Sequence, residues 1–377
     1  MARRSLCLAL ALTLAVRPAL ADDTPPPETA RTSTAAASDE APPAGRRALA
    51  AGAAIGPGAV VHGLGHFVRG DPATGRTLLL LEGVGLGAMG GGLVTLFVTG
   101  ASRKVVVPAA TLTLAGAGLF VTSYLADIYG AARGESLGSA ATTAPLLVTE
   151  VGVRKVVDPT FSYGAFFVQA ADLTLGRVRI RPEGWHALDA KNERLRALVA
   201  VRFVGPRPAS SSATDGARDG SFVDLELAAT HHAYLPERFR ISTGELAVRG
   251  RYDGARFARS LAGSFVEGSL GIAVASYAYD VSGDPIDVNE HLLGGFAYGV
   301  YLGRGGSAPA GEVSLYYDHR HDGFTAGAKI PGVGSGVPGH VGLRGVGYFS
   351  RSFGVRAEVE AGSALLGGAS LLFRVDP

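Results

Sequence analysis

Apolar and polar residues alternate along the C-terminal part of this chain, from about residue 145 to residue 377, in segments of roughly ten residues. The segment from Val355 to Ala361 is the clearest case, because Arg356, Glu358 and Glu360 alternate with aliphatic residues. Successive side chains of a β-strand point to opposite faces, so this segment has one aliphatic and one charged face. Turn residues separate the segments. The pattern predicts an all-β, antiparallel C-terminal part that closes on itself.

The alternation defines twelve candidate strands. An even number brings both ends of a barrel to one side, as in single-chain bacterial barrels. The connections after residues 175 and 349 are tight, as expected on the periplasmic side, and those at 280–290 and 322–336, on the outer side, are long. The Ser-rich connection at 205–219 is the exception, because it is long although it lies on the periplasmic side. The predicted strands span about residues 146–156, 164–174, 177–188, 194–204, 221–232, 239–250, 260–277, 291–303, 311–321, 339–349, 353–361 and 364–375.

The two faces of these strands differ in charge. One face carries Arg, Asp and Glu in near-equal numbers and is predicted to line the lumen: Glu150, Arg154, Arg177, Arg179, Arg181, Glu183, Arg194, Arg196, Arg202, Asp224, Glu226, Glu245, Arg249, Glu312, Asp318, Arg320, Arg344, Arg356, Glu358 and Glu360. The other face is aliphatic: Val178, Ile180, Leu195, Val199, Val201, Val223, Leu225, Leu227, Leu270, Ile272, Val274, Val313 and Leu315.

This division of faces indicates whether water or lipid surrounds the barrel. A soluble barrel with the charged face inside would expose its aliphatic face to water, over an area larger than an ordinary surface patch. The same soluble barrel would also bury about twenty charges, which cost several kcal/mol each unless they are paired. A lipid-facing exterior removes the exposure problem. We therefore expect a transmembrane β-barrel over residues 145–377.

The N-terminus predicts export. Residues 1–21 have a basic start, an apolar run and a small-residue ending, which is the layout of a cleaved secretory signal. The only cysteine, Cys7, lies in that run, so the mature chain is expected to have no disulfide or thiol chemistry. Residues 22–45 are rich in Pro, Ala and Thr and are expected to form a disordered linker.

Residues 46–134 follow a different pattern, with long apolar stretches of Gly, Ala and Leu. We expect a helical hairpin over residues 77–129 with its turn at 100–104, preceded by an amphipathic helix over residues 48–68. Gly83, Gly87 and Gly91 are spaced four apart, which predicts close helix packing there. Each apolar stretch is about the 20 residues needed to cross a bilayer.

The location of this hairpin has alternatives. It can pack against the barrel or the membrane surface, plug the barrel, pack in the periplasm, or cross a membrane. Arg103 and Lys104 in the turn fit the positive-inside rule, while arginines at 46, 47, 69 and 76 do not. The outer membrane is the expected location of the protein. The alternative is an inner-membrane protein anchored by the hairpin at residues 77–126.

Two resemblances follow from these residues. The signal peptide, the alternation and the strand number over residues 145–377 resemble Gram-negative outer-membrane β-barrels. The stretch Gly56-Pro57-Gly58, followed by His62, His66 and Gly70, resembles the Gly-rich hairpin modules of bacterial envelope proteins of unknown function. The second resemblance implies a membrane-associated helical module and no specific chemistry.

Other motifs favour structural interpretations. Gly85, Gly87 and Gly90 fit Gly-x-Gly-x-x-Gly, but no acidic residue follows at the distance that a dinucleotide site needs, so helix packing is favoured. His62 and His66 could share a helix face, but no third metal ligand is evident. His231-His232 and residues 318–322 lie at strand ends. No compelling Ser/His pair is evident.

The sequence therefore predicts no enzyme, metal or cofactor. Lys plus Arg (35) nearly equals Asp plus Glu (33), which does not favour a nucleic-acid partner. Expected partners are outer-membrane lipid and an envelope partner of the helical part. The favoured hypothesis is a structural or anchoring barrel whose narrow lumen is filled by paired charges. The alternatives are a small-solute pore or transporter, and a lipid-modifying enzyme of the outer membrane, which the sequence disfavours.

Overall fold

The computed structural model describes residues 44–100, 105–133, 144–159, 163–208, 220–235, 238–258, 261, 263–279, 287–304, 309–320, 323–325 and 339–377. The predicted signal peptide at 1–21 and nearly all of the predicted linker at 22–45 lie outside these ranges. The linker's last two residues belong to the first described helix.

The C-terminal part is a closed antiparallel barrel of twelve strands, in which each strand pairs with its neighbours in sequence and β1 pairs with β12. The prediction of an all-β barrel with N-terminal helices is confirmed. The strands are β1 (Leu147–Val157), β2 (Ala165–Leu175), β3 (Val178–Ala187), β4 (Asn192–Val204), β5 (Phe222–Tyr234), β6 (Phe239–Asp253), β7 (Ser264–Tyr279), β8 (Asp287–Arg304), β9 (Pro309–Asp318), β10 (His340–Tyr348), β11 (Phe353–Ala361) and β12 (Leu365–Val375).

The barrel has two ends. We call the end at which β1 begins and β12 ends, where Leu147 pairs with Val375, the near end. The opposite end, where Val157 pairs with Leu365, is the far end. Odd-numbered strands run from the near end to the far end and even-numbered strands return, so the β6–β7 connection lies at the near end and the β9–β10 connection at the far end.

Outward-facing side chains of the barrel are aliphatic and exposed. Leu227 and Ile272, for example, are 61% and 58% exposed. In the same strands Asp224 and Glu267, whose side chains point the other way, are buried. An exterior of this kind suits hydrocarbon rather than water.

Four α-helices precede the barrel: α1 (Ala44–Ile55), α2 (Leu64–Arg69), α3 (Pro72–Val98) and α4 (Val106–Arg133). The single helix expected over residues 48–68 is wrong. A 3-10 turn at Pro57–Ala59 and Gly63, whose φ is 89°, separate α1 from α2. Proline supplies no N–H to a helix interior, and a positive φ favours glycine.

Helices α3 and α4 form the predicted hairpin, and α3 begins five residues earlier than expected. The Asp71 carboxylate caps α3 by accepting a hydrogen bond from the Thr74 N–H (3.1 Å), and Pro72 occupies the first turn. Both helices contain stretches that are long and apolar enough to cross a membrane, at Pro72–Val98 and Leu112–Ala132.

The glycines that permit the α3–α4 contact are not the predicted ones. A Cβ atom on Gly83, Gly87 or Gly91 would meet nothing within 4 Å. A Cβ on Gly85 would lie 2.8 Å from the Phe120 nitrogen, and one on Gly116 would lie 2.3 Å from the Met89 nitrogen. Helix α4 therefore packs on the face of α3 that carries Gly85, and not on the face that carries Gly83, Gly87 and Gly91. The four-residue spacing alone does not identify which face of the helix is covered.

The hairpin packs on the outer wall of the barrel. Helix α4 contacts β7 and β8, and the Tyr298 hydroxyl donates a hydrogen bond to the Leu114 carbonyl (3.1 Å). Tyr298 and Val300 are only 7% and 6% exposed, although Leu292 on the same outward face of β8 is 61% exposed. At the near end, Leu78 and Ala126 pack on Leu261 of the β6–β7 connection.

Candidate functional site

The barrel interior is a network of Arg–carboxylate pairs. Glu150 on β1 accepts hydrogen bonds from Arg154 (2.9 Å), Arg181 (3.1 Å) and Arg356 (3.0 Å), and from the Ser370 hydroxyl (2.9 Å). Arg154 lies on β1 itself, and the other three partners come from strands on both sides of β1. Glu150 is therefore a hub that joins β1, β3, β11 and β12, since a carboxylate offers about four acceptor positions.

A second hub lies on β6. Glu245 accepts two bonds from Arg196 (2.6 and 2.8 Å) and a further bond from Arg320 (2.6 Å). Arg320 follows the end of β9, so its side chain crosses the interior to reach β6. Bidentate Arg–carboxylate geometry holds both side chains in a fixed orientation.

A third cluster contains two residues that the sequence did not predict to line the lumen. Arg251 pairs with both Glu267 and Glu312, and Arg249 pairs with Glu267 (2.6 Å). Arg251 lies one residue beyond the predicted end of its strand, and Glu267 lies in a Gly- and Ser-rich segment with weak alternation. A strand one residue longer would have placed Arg251 on the charged face, whereas Glu267 lies within the predicted strand at residues 260–277.

The other predicted lumen residues form further ion pairs, hydrogen bonds and ring contacts. Arg202 forms two 2.8 Å bonds to Asp224, and Arg179 lies 3.4 Å from Glu226. Glu360 accepts bonds from the hydroxyls of Tyr316 and Thr325. Further ion pairs join Glu183 with Arg181, Asp318 with Arg320, and Glu358 with Arg154 and Arg356. The guanidinium groups of Arg194 and Arg344 lie over the rings of Trp185 and Tyr316, respectively.

Arg177 differs from the other predicted residues. It lies in the two-residue turn between β2 and β3 at the near end and is exposed. The strand predicted at about residues 177–188 is β3, and Gly176, whose φ is 59°, closes a tight turn with Arg177 just before it. Arg177 therefore lies at the rim of the barrel.

The far end of the interior is filled by an aromatic cluster around Phe324, which belongs to the β9–β10 connection. The Phe324 ring contacts the rings of Phe166 (4.8 Å between centroids), Trp185 (5.8 Å), Tyr163 (5.2 Å) and His232 (4.8 Å). The whole cluster, which we call the far-end plug, also contains Val156, Val168, Ala187, Ala364 and Leu366. Its residues share the inward face of their strands with the charged network.

Two cavities lie inside the part of the barrel that the structure describes. The far cavity, of about 310 Å³, lies against Trp185 and Phe324 of the plug. The near cavity, of about 560 Å³, extends to Arg202, Tyr348 and Arg374 at the near end. Both are lined by Arg196, Glu226 and Arg344, so they meet in the middle of the barrel.

The helical part contains a buried polar cluster, which we call the helical base: His62, His66, Glu82, Ser123 and Asp127. The Asp127 carboxylate accepts bonds from the backbone N–H groups of Gly63 (2.9 Å), Gly65 (3.3 Å) and His66 (3.2 Å), and contacts the His66 Nδ1 atom (2.8 Å). Asp127 thus anchors the turn before α2 onto α4. The sequence identified the two histidines but not their partners, which are about 61 residues away.

His62 is held by two other members of the helical base. Its backbone N–H donates to Glu82 (2.9 Å), and its Nδ1 atom lies 2.7 Å from the Ser123 hydroxyl, which donates to the Phe120 carbonyl. Burial lowers the pKa of His62 from its ordinary value, and the nearby Glu82 and Asp127 carboxylates oppose that shift. The described residues contain no group of three or more His, Cys, Asp or Glu side chains placed to hold a metal.

A Ser/His pair that the sequence did not indicate lies on the outer wall. The His231 Nδ1 atom is 3.0 Å from the Ser242 hydroxyl, because these residues are cross-strand partners on β5 and β6. Within the described part of the chain no carboxylate contacts His231. A nucleophilic serine normally needs a base that a third group orients.

No protein-family model and no curated protein matches this sequence. Among solved structures, the KdgM porin is similar at 6% identity and a TM-score of 0.34, covering 60% of this chain and 98% of the porin. Omp33 of Acinetobacter baumannii is similar at 8% identity and a TM-score of 0.31, covering 62% and 99%. Outer membrane phospholipase A from Escherichia coli is similar at 10% identity and a TM-score of 0.34, covering 64% and 99%. The chain is a closed twelve-stranded antiparallel β-barrel with N-terminal helices, similar in fold to outer-membrane barrels.

Proposed function

We propose that this protein is an outer-membrane β-barrel of the bacterial envelope that holds a helical hairpin in the membrane and whose lumen is closed. The observation that carries the proposal is the filling of the interior. Ion pairs join non-adjacent strands through its middle, and the far-end plug occupies its far end. In the proposed orientation, the near end, where the chain enters β1, faces the periplasm.

The exterior supports a membrane location. Aliphatic side chains cover the outward face, and paired charges occupy the inward face, which is the arrangement that a bilayer stabilises. The hairpin extends this apolar exterior, since Leu80, Val94 and Phe97 are 68%, 61% and 85% exposed. An exposed apolar surface of this size is unstable in water and stable in lipid.

The position of α4 supports an anchoring role. Gly118 lies directly against the Tyr298 ring, where a Cβ atom would come within 2.2 Å of the hydroxyl oxygen. The close contact is specific to this wall of the barrel. The barrel thereby fixes the hairpin beside β7 and β8, and it presents α1 and α2 at the near end to a periplasmic partner.

Conductance of the full-length protein in planar bilayers tests the closed lumen. We expect no stable channel from the wild-type chain and ohmic steps from Phe324→Ala, because removal of the ring empties the centre of the far-end plug. Phe349→Ala is the matched control, since Phe349 is 72% exposed and lies outside the plug. Steady ohmic steps from the wild type would refute the closed barrel.

Membrane fractionation tests the location. We expect the protein in the outer-membrane fraction, with the faster migration of unheated sample that folded barrels show on SDS gels. Recovery in the inner-membrane fraction alone would contradict the proposal and favour anchoring by the hairpin.

The second candidate is a small-solute pore, and the two interior cavities favour it. Because they meet at Arg196, Glu226 and Arg344, displacement of the Phe324 segment would join them to the far side of the membrane. Ohmic conductance by the wild type, reduced by substitutions of these shared residues, would establish this candidate in place of the first.

A further inference from the structure

The near cavity has an excess of positive charge that the balanced composition of the lumen conceals. Among the described residues, ten arginines and four carboxylates line it. The far cavity is lined by seven arginines and seven carboxylates. The lumen is therefore divided along its axis into a neutral far part and a basic near part. A cavity of one sign with low-dielectric walls concentrates counter-ions of the opposite sign.

Part of this excess arises because the carboxylate partners of three lining arginines are buried behind them and do not line the cavity. In the pairs Arg202–Asp224, Arg181–Glu150 and Arg249–Glu267, the arginine side chains are 14%, 24% and 26% exposed. Their carboxylate partners are 1%, 4% and 6% exposed. The carboxylates lie against the wall and the guanidinium groups face the cavity. Asp172 and Glu312, at 21% and 26% exposure, are the carboxylates that oppose this pattern.

Two arginines have hydrogen-bond donors to spare. Arg344 lines both cavities and forms no ion pair with any carboxylate in the described part of the chain; it lies over the Tyr316 ring, 5.4 Å from its centroid. The Nε–H of Arg179 is buried and forms no hydrogen bond among the described residues, with the Asp172 Oδ1 atom 3.7 Å away. Guanidinium donors of this kind match the oxygens of phosphate and carboxylate groups in bidentate geometry.

We propose that the near cavity binds small polyanionic solutes through phosphate or carboxylate groups, with Arg344 and Arg179 as direct ligands. Its volume of about 560 Å³ lies within the range of small-molecule sites. The site opens at the near end, so binding requires no passage through the far-end plug. The inference therefore goes beyond the anchoring function and holds whether or not the lumen conducts.

Isothermal titration of the full-length protein, folded in a non-ionic detergent, tests the site with pyrophosphate and with citrate as separate probes. We expect saturable binding of at least one probe in low salt that weakens as chloride is added, because chloride screens the arginines. Binding of pyrophosphate alone assigns the site to phosphate groups, and binding of citrate alone assigns it to carboxylates. Absence of binding by both probes in low salt overturns the proposal.

Substitutions locate the binding. Arg344→Gln is expected to weaken the affinity about tenfold, as loss of a charged hydrogen-bond donor predicts. Arg344→Lys, which keeps the charge, should lose less. Arg177→Gln removes the same charge from the exposed rim outside the cavity and should leave the affinity unchanged. Heat-dependent migration on SDS gels verifies that each variant is folded.

Arg179→Gln provides an independent second variant if Arg344→Gln does not fold. Weakened binding by either folded glutamine variant, with the rim control unaffected, supports the site. Unchanged affinity in every folded variant of the two, Arg344→Gln and Arg179→Gln, or equal losses in Arg177→Gln, overturns it.

Discussion

Arg251 on β6 and Glu312 on β9 form a bidentate ion pair in the barrel interior, with N–O distances of 2.7 and 3.0 Å. These strands are not neighbours, because β7 and β8 lie between them in the sheet. The same guanidinium lies over the Phe265 ring, 3.8 Å from its centroid, and also bonds Glu267. The pair therefore joins parts of the wall that are three strands apart and fills the space between them.

Substitution of Glu312 by Gln is expected to destabilise the barrel by about 1–3 kcal/mol, because it leaves the Arg251 charge with one carboxylate in a desolvated interior. Urea unfolding in detergent, followed by fluorescence of Trp185, the only tryptophan, measures the effect. Arg177→Gln in the exposed turn is the matched control and should be neutral. Equal stability of the two variants would mean that the ion pair adds nothing.

The hairpin contact gives a second prediction. Gly116→Ala should separate α3 from α4 and cost about 1–3 kcal/mol, because the added methyl meets the backbone of Met89 and Gly85. Gly87→Ala adds the same methyl where nothing lies within 4 Å, and should be neutral or stabilising by up to about 1 kcal/mol. Protease resistance of residues 72–133 compares the two variants. Greater sensitivity of the Gly87 variant would reverse the assignment of the helix faces.

The helical base should lose stability in acid. Burial lowers the pKa of His62 in the folded state. In mild acid the unfolded chain therefore binds a proton at His62 more strongly than the folded chain does. The stability contribution is complete above about pH 6.5, the ordinary histidine value, and it falls as the pH drops below that value. Amide hydrogen exchange of residues 44–70, corrected for its intrinsic pH dependence, measures the effect.

His62→Gln should flatten this acid dependence, because glutamine does not titrate. His231→Gln on the exposed outer wall is the control and should leave it intact. An unchanged acid dependence in His62→Gln would assign the effect to other groups, of which Glu82 and Asp127 contact the same turn.

The Ser/His pair on the outer wall is expected to be inactive. His231 and Ser242 lie 3.0 Å apart, but no carboxylate among the described residues orients the imidazole. Mixed micelles of phospholipid and a fluorogenic fatty-acid ester should show no hydrolysis above buffer. Hydrolysis that is lost in Ser242→Ala and kept in Ser276→Ala, its cross-strand neighbour on β7, would establish a lipid-modifying enzyme instead.

Much of the barrel could be predicted because strand alternation is a local property. Twelve strands were expected and twelve are present among the described residues, with most boundaries within about four residues of the predicted ones. Local patterns were weaker where glycine and serine interrupt the alternation, which is why Glu267 was missed.

The helical part was less predictable, since its contacts depend on residues far apart in the chain. The hairpin followed from two apolar stretches, but which glycines lie in the interface depends on the rotation of one helix about the other. The histidines of the helical base were noticed, whereas Asp127, which accepts three backbone N–H groups from the turn before α2, carries no local signal.

The sequence by itself determined the two-faced strands, the closed barrel and the balance of charges inside it, because each of these follows from the order of residues along single strands. Only the tertiary structure decided which arginine meets which carboxylate, that Phe324 enters the far end, and that α4 lies on the outer wall at Tyr298. Those contacts join segments that are distant in sequence, and their geometry depends on the register and closure of the whole barrel. The same closure separates a basic near cavity from a neutral far one, which no count of charges along the chain can express.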